Sequence, residues 1–359
     1  MSFELSFIGA SGGPLESGTC ALIIKPAEIS YSDIISSQEP QLLVIDAGAG
    51  IFALSQIIAD PDAVPLRTLS LYKDSLPREQ YTSVPQTDPF AGLAKEFEAT
   101  SSCSGAYAAS QAVIGQVHSV LVTHPHLDHI AALVLNSPGL QRQGRAPLTV
   151  CGSQFTIDGL RNHVFNDSVW PDLISPGLLE LRKVKPTLPF STPKEIFTVT
   201  MFEISHGRGA CGAPYPSSAY LLHHNSSGAE IAVFGDFECD SVSGTAQNSA
   251  IWHAVAPSVD AGTLKALVVE CSTPTLPPGT ELYGHLTPPH LASELEALAA
   301  LCPHRHDLAN LNVIVSHVKD SPWGTDPRRQ ILDELRQLCD EKGLAVHISV
   351  ALSGMSMVV

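Results

Sequence analysis

Apolar runs of strand length punctuate the whole chain, and several of them stop at a histidine or an acid. They read ELSFIG (4–9), TCALIIK (19–25), QLLVID (41–46), HSVLVT (118–123), PLTVCG (147–152) and FTVTMFEIS (197–205), then SAYLLHH (218–224), EIAVFGD (230–236), KALVVE (265–270), LNVIVS (311–316) and AVHISV (345–350). Short apolar runs bounded by turn residues predict strands. Helical spacing lies between some of them, at 50–60, 105–116, 153–165, 288–301 and 326–342. Hairpin-like pairs followed by strand–helix alternation predict an α/β chain in which two sheets are covered by helices. Neither a pure Rossmann order nor an eightfold barrel repeat is visible. Residues 61–104 carry several prolines and the polar stretch REQYTSVPQTDPF, and read as an insertion or lid-like excursion within one domain spanning 1–359.

Charge narrows the partners. With 20 Lys+Arg against 36 Asp+Glu, the net charge is -16. Such a chain offers no extended cationic surface for a nucleic-acid backbone. No window reaches the roughly 18 apolar residues of a membrane span, and no basic start precedes an apolar segment, so an intracellular, cytoplasmic location is expected. The 8 cysteines form no C-x-x-C pair, which predicts buried, reduced thiols and neither a disulfide framework nor a thiolate metal site.

The densest chemistry is HPHLDH, residues 124–129, directly after an apolar strand. Histidines at the end of a strand and an Asp-His pair beyond them can converge where regular backbone gives way to a loop. Imidazole suits Zn²⁺ and its neighbours, and the carboxylate suits a harder ion. One loop cannot ligate two ions, so further ligands are expected at other strand ends. FEISHG places His206 at such an end, AVFGD places Asp236 and VIVSH places His317.

The order H-x-H-x-D-H, then a lone His, a Gly-Asp and a last His resembles the metallo-β-lactamase superfamily, whose fold is an αββα sandwich with a two-metal site along one sheet edge. Within it, HPHLDHIAALVLNSP is similar to the signature of the class II cyclic-nucleotide phosphodiesterases of the fungal low-affinity cAMP type. So are IGASGGPLESGTCALII, LLVIDAGAG, SHGRGACGAPYPSSAYLL, ECSTPT, ELYGHLTPPHLASELEAL and IVSHVKDS. The resemblance implies that His124, His126 and His206 hold one metal, that Asp128, His129 and His317 hold the other, and that Asp236 bridges them. Two divalent ions are implied, Zn²⁺ foremost, with Mn²⁺ or Fe²⁺ as alternatives. The implied reaction is hydrolysis of 3',5'-cyclic nucleotides, cAMP and with it cGMP, to 5'-nucleotides by a metal-bridging hydroxide. Asp128 and Asp236 would then serve catalysis as well as metal binding, and a homodimer is a family expectation.

His285, in YGHLTPP, is the candidate acid for the departing 3' oxygen. Thr287 is a plausible N-cap and Pro288 a suitable first helical residue, so the loop that carries it is held by a rigid element. Asp46 and Glu270 end strands and are candidate acceptors that fix the tautomer of a ligand histidine. Lys319 could pair with the phosphate, and Gly12-Gly13 could let the backbone approach the site. His304-Arg305-His306-Asp307 imitates a ligand cluster but follows a helix end. The transfer-RNA 3'-processing nucleases share the chemistry, yet they need a basic arm that this acidic chain lacks. A catalytically silent metal-binding scaffold is the rival from another class, and retention of every ligand and the candidate acid weighs against it.

Overall fold

The structure is a computed structural model that describes residues 1–99, 101–140 and 146–359, so residue 100 of the 61–104 excursion lies outside it. The first half of the chain supplies β1 (Phe3–Gly9), β2 (Ala21–Pro26), β3 (Leu42–Ile45), β4 (Gln86–Thr87), β5 (Val117–Leu121), β6 (Leu148–Gly152) and β7 (Leu179–Lys183). The second half supplies β8 (Phe190–Ser191), β9 (Phe197–Arg208), β10 (Pro214–His224), β11 (Glu230–Phe234), β12 (Leu264–Glu270), β13 (Asn312–Ser316) and β14 (His347–Val350). A last strand, β15 (Ser356–Val358), returns to the first sheet. The orders are β4-β15-β1-β2-β3-β5-β6-β7 and β14-β13-β12-β11-β10-β9-β8.

Each sheet changes character at its middle. Pairs β1/β2 and β2/β3 are antiparallel, and β3/β5, β5/β6 and β6/β7 are parallel. The second sheet repeats this: β8/β9, β9/β10 and β10/β11 are antiparallel, then β11/β12, β12/β13 and β13/β14 are parallel. The two halves therefore share one plan although no sequence repeat marks it.

Burial explains why these runs became strands. Phe3, Leu5 and Phe7 on β1 and Leu22 and Ile24 on β2 face Met201, Tyr220 and Leu222 of the other sheet in one core. That core continues beneath the second sheet to Trp252, Leu291, Leu295 and Leu335 of helices Gln247–Ala261, Pro288–Ala299 and Pro327–Glu341. The opposite face of the first sheet, with Ile23, Val44 and Val120, packs on Leu54, Ile57, Ala109, Val113 and Ile130 of helices Ile51–Ala59, Gly105–Ile114 and Leu127–Asn136. The result is four layers, αββα. Parallel strands buried on both faces need apolar residues at consecutive positions, which is why they read as unbroken runs.

Residues 61–104 include helices Ala63–Leu69 and Leu93–Glu98 and strand β4, whose Gln86 and Thr87 pair with Met357 and Ser356. The segment also grips the loop after His317. Buried Arg328 bonds to both Asp320 and Asp326. Asp326 also accepts from Tyr81 Oη (2.6 Å) and Ser75 Oγ (2.7 Å), and Tyr72 Oη lies 2.9 Å from Ser321 O. Ser11 Oγ completes the clasp by donating to Asp320 (3.1 Å). Among the described residues no helix is long and apolar enough to cross a membrane.

Candidate metal centre

The carboxyl ends of β3, β5, β11, β12 and β13 open onto one edge, where irregular backbone can turn side chains inward. Asp46 follows β3 with a left-handed backbone (φ 54°). His124 follows β5 by three residues, and Pro125 keeps it extended before the helix starts at Leu127. Asp128 and His129 sit in that helix's first turn, where the unpaired amides favour a carboxylate. His206 lies on β9, which runs two residues past it to Arg208. Asp236, Glu270 and His317 lie at or just beyond the ends of β11, β12 and β13.

The hydrogen bonds decide which nitrogen of each imidazole points inward. Thr123 donates its amide to Asp46 Oδ1 (2.8 Å) and its hydroxyl to Asp46 Oδ2 (2.8 Å). The same hydroxyl oxygen is then free to accept from His124 Nδ1 (3.1 Å), and Asp46 Oδ2 accepts from His129 Nδ1 directly (2.7 Å). His206 Nδ1 donates to the carbonyl of Gly284 (2.8 Å). Ser272 donates to Glu270 Oε2 (2.8 Å) and accepts from His317 Nδ1 (2.9 Å). Each of these histidines therefore presents Nε2 to the interior.

Those nitrogens converge on one oxygen. Asp236 Oδ2 lies 3.6 Å from His124 Nε2, 3.3 Å from His129 Nε2, 3.7 Å from His206 Nε2 and 3.1 Å from His317 Nε2. His126 Nδ1 stands 3.0 Å from His124 Nε2 and 3.3 Å from His206 Nε2. Asp128 Oδ2 is 3.2 Å from His317 Nε2 and 3.6 Å from His129 Nε2. Two ligand sets result, His124/His126/His206/Asp236 and Asp128/His129/Asp236/His317, with Asp236 common to both.

This arrangement fits cations. The buried Nε2 of His129 has no hydrogen-bond partner, and one His126 nitrogen stands 3.0 and 3.3 Å from the Nε2 atoms of His124 and His206, so that it has at most one proton for two neighbours and a shared positive ion fits there. Charge agrees. Burial holds His124 and His206 below the usual imidazole range and brings His126 down to about 4. Burial would lower His317 and His129 as well, but Asp236 and the other nearby carboxylates overcome it, carrying His317 up to about 9 and His129 upward too. Burial would raise Asp128, yet His317 and His129 hold it at about 2. The centre thus draws positive charge to itself, and it does so with nitrogen and carboxylate donors that suit divalent metals.

His285 lies beside this centre. Its Nδ1 donates to Glu270 Oε1 (3.0 Å), and Glu270 also accepts from the amides of Phe237 (3.0 Å) and Leu286 (3.3 Å). Lys319 Nζ sits 2.8 Å from His285 Nε2. Thr287 occupies the N-cap position and Pro288 opens the helix, but the Thr287 hydroxyl does not cap an amide. It pairs with His290 Nδ1 instead (2.7 Å). Gly12 does let the backbone close in, since a Cβ there would stand 2.5 Å from His317 Nδ1.

Other residues reach the site without any sequence signal. Cys20 Sγ lies within ligand range of His129 and His317, but burial and then Asp236 raise its thiol, which makes it a neutral wall. Tyr215 stacks on His126 (4.6 Å between centroids), and Phe155 meets Tyr215 edge-on at 5.0 Å. Expectation and structure differ for the thiols: all are free, but Cys103 and Cys211 are exposed and Cys20 is half-buried. The His304–Asp307 stretch joins no ligand cluster among the described residues.

Comparison with known proteins follows the same line. The family model described as class-II cAMP phosphodiesterases matches residues 78–354. The chain is 35% identical to 3',5'-cyclic-nucleotide phosphodiesterase 1 of Saccharomyces cerevisiae, with 99% of each covered. The crystal structure of unliganded yeast PDE1 superposes with a TM-score of 0.88 at 34% identity, covering 100% of this chain and 99% of that one. YhfI of Bacillus subtilis, a metallo-beta-lactamase fold protein, aligns over 99% of this chain and 98% of its own with a TM-score of 0.53 at 14% identity, a likeness of fold alone. The expected αββα sandwich of the metallo-β-lactamase type is borne out.

Proposed function

The chain belongs to the class-II cAMP phosphodiesterases, and from that membership we propose that it hydrolyses 3',5'-cyclic nucleotides to 5'-nucleotides at the Asp236 centre. The observation that carries this reading is the convergence of four histidine nitrogens on Asp236 Oδ2. We take residues 1–359 as one catalytic unit, because His124 and His126 come from the first sheet's edge and His206 and Asp236 from the second's.

Divalent metal ions are implied by the fold. In this reading His124, His126 and His206 would hold one ion, Asp128, His129 and His317 would hold another, and Asp236 would serve both. Zn²⁺ suits the imidazoles, and Mn²⁺ or Fe²⁺ is compatible with the half that contains Asp128. Bound ions of this kind supply an ionised water at neutral pH and neutralise charge on phosphoryl oxygens. The remaining work belongs to the chain. Phosphorus gains an oxygen from water and loses O3', so O3' must take a proton. In this reading His285 gives it from Nε2, with Glu270 holding Nδ1–H and stabilising the imidazolium. Lys319, which now donates to Nε2, gives way when that nitrogen is protonated and can then meet the phosphate.

Product identity tests the reading. The metal-loaded protein is incubated with 3',5'-cAMP, 2',3'-cAMP and 3',5'-cGMP in ¹⁸O-labelled water. The expected product of 3',5'-cAMP is 5'-AMP with one labelled phosphoryl oxygen. A predominance of 3'-AMP, or unlabelled phosphate, removes it.

A further inference from the structure

A lysine carries its charge on a flexible stem, so nothing in the side chain itself fixes where the ammonium group ends up. Lys319 Nζ nevertheless stands 2.8 Å from His285 Nε2. The backbone that carries it is held from two sides. Past β13, His317 turns the chain with a left-handed backbone (φ 59°). His317 N then donates to Ala10 O (2.7 Å), Lys319 N to Ser272 O (2.8 Å) and Asp320 N to Gly13 O (2.8 Å), while Gly12 N donates to Val318 O (3.1 Å). Val318 also bridges to Ser11 as an isolated strand pair would, which keeps this stretch extended. Neighbouring side chains on extended backbone point to opposite sides, so a hold on Asp320 sets the direction of Lys319.

That hold is firm. The Asp320 side chain is 6% exposed and pairs with Arg328, whose other terminal nitrogen bonds to the fully buried Asp326. A guanidinium is a planar fork, so two carboxylates on its two ends are fixed relative to each other. From the 61–104 segment, Tyr72 Oη stands 3.2 Å from Asp320 Oδ1 and accepts from the amide of Ser321 (2.9 Å). Ser11 Oγ donates to Oδ2 (3.1 Å). Stability alone does not account for such a cluster. Taking charges out of water offsets most of what their pairing contributes, and apolar residues of similar volume would hold the loop about as well. Apolar contact is non-directional, however, whereas a hydrogen bond weakens steeply when its angle or distance is wrong. The cluster supplies direction.

We propose that Asp320 is a positioning residue for the phosphodiester reaction: clamped by Arg328, Ser11 and Tyr72, it aims Lys319 Nζ at His285 and the phosphate. The 61–104 segment then serves as a strut for that lysine. The inference rests on the cyclic-nucleotide reading above and gives work to side chains that lie outside both ligand sets.

A double-mutant cycle tests it, because a residue that acts through another has no effect once the other is gone. Asp320→Asn keeps the size of the side chain and removes its charge. Its kcat/KM for 3',5'-cAMP should fall by about tenfold, with metal content and resistance to chelator equal to the parent's. Lys319→Met should lose about 10–100-fold. In the Lys319→Met background, Asp320→Asn should change kcat/KM by less than about twofold. Tyr72→Phe removes a single hydroxyl and should repeat the pattern at about threefold, which keeps the cycle decisive if Asp320→Asn fails to fold. Losses that multiply, full activity in both Asp320→Asn and Tyr72→Phe, or depletion of metal overturn the positioning role and leave the cyclic-nucleotide reading standing. A parent that cleaves bis(4-nitrophenyl) phosphate but no cyclic nucleotide overturns that reading instead, and the same cycle run on the diester still decides whether Asp320 acts through Lys319.

Discussion

Asp46 follows the end of a strand in the first sheet and Glu270 ends a strand in the second, and each holds two histidines, one directly and one through a hydroxyl. Asp46 takes His129 directly and His124 through Thr123. Glu270 takes His285 directly and His317 through Ser272. The difference lies in where the imidazoles aim. Both histidines of Asp46 turn Nε2 toward Asp236, whereas only His317 does so on the Glu270 side, and His285 turns Nε2 to Lys319. One half is built wholly to hold positive charge. The other turns one imidazole away from Asp236, the one proposed above as proton donor, while the same kind of anchor keeps it in place.

Removing the oxygen the two halves share should have the largest effect. Asp236→Ala is expected to lose both metals and all measurable turnover, because the charges of the two ions are no longer compensated. Elemental analysis after gel filtration decides it: two retained metals would show that the halves do not meet at Asp236. The next largest effect separates the diverted histidine from the others. His285→Ala should keep the fold and the metals but slow cAMP hydrolysis by about 10²–10⁴-fold. A diester with a nitrophenolate leaving group needs little protonation and should be nearly spared. Equal losses on both substrates, or a depleted metal content, would place His285 with the holding residues.

The smallest effect compares the anchors themselves. Asp46→Asn replaces an acceptor of two histidine-fixing bonds and should weaken metal affinity by about 10–100-fold. Glu270→Gln should cost a similar factor chiefly in kcat for cAMP, since His285 then lacks the carboxylate that stabilises its protonated form. Chelator titration paired with steady-state kinetics reads both variants. If the two anchors prove interchangeable in that pair of measurements, their division of labour is wrong.

Much of this arrangement was legible from residue order, and the reason is local. A parallel strand covered on both faces must be apolar at consecutive positions, so VIVS before His317 and AVFG before Asp236 announced both the strand and the candidate ligand at its end. What escaped notice lacked a local cause. β7 lies at a sheet edge and alternates charge with leucine, and β4 and β8 are two residues each. Helix Gln247–Ala261 contains Pro257, and its first amides are held by Asp240, seven residues before it starts: Asn248 N and Ser249 N donate to that carboxylate at 3.1 and 2.8 Å. The 61–104 segment read as a lid-like excursion. Its bonds from Tyr72, Ser75 and Tyr81 to a loop near position 320 bridge spans that no motif covers. Tyr215 likewise became visible only as a neighbour in space.

The return of β15 to the first sheet bears on how the chain reaches this state. Leu5 pairs with Met357, and β15 also separates β1 from β4. Until that pairing forms, β1 has a free side whose amides and carbonyls are open to any other extended segment. Closing it brings together positions at a very large sequence separation, a class of contact that is slow to form because loop entropy is lost before the contact stabilises anything. A refolding chain is therefore expected to pass its most aggregation-prone interval with most strands already made. High dilution, or a short peptide that occupies the open side of β1, should improve recovery more than added metal ions would.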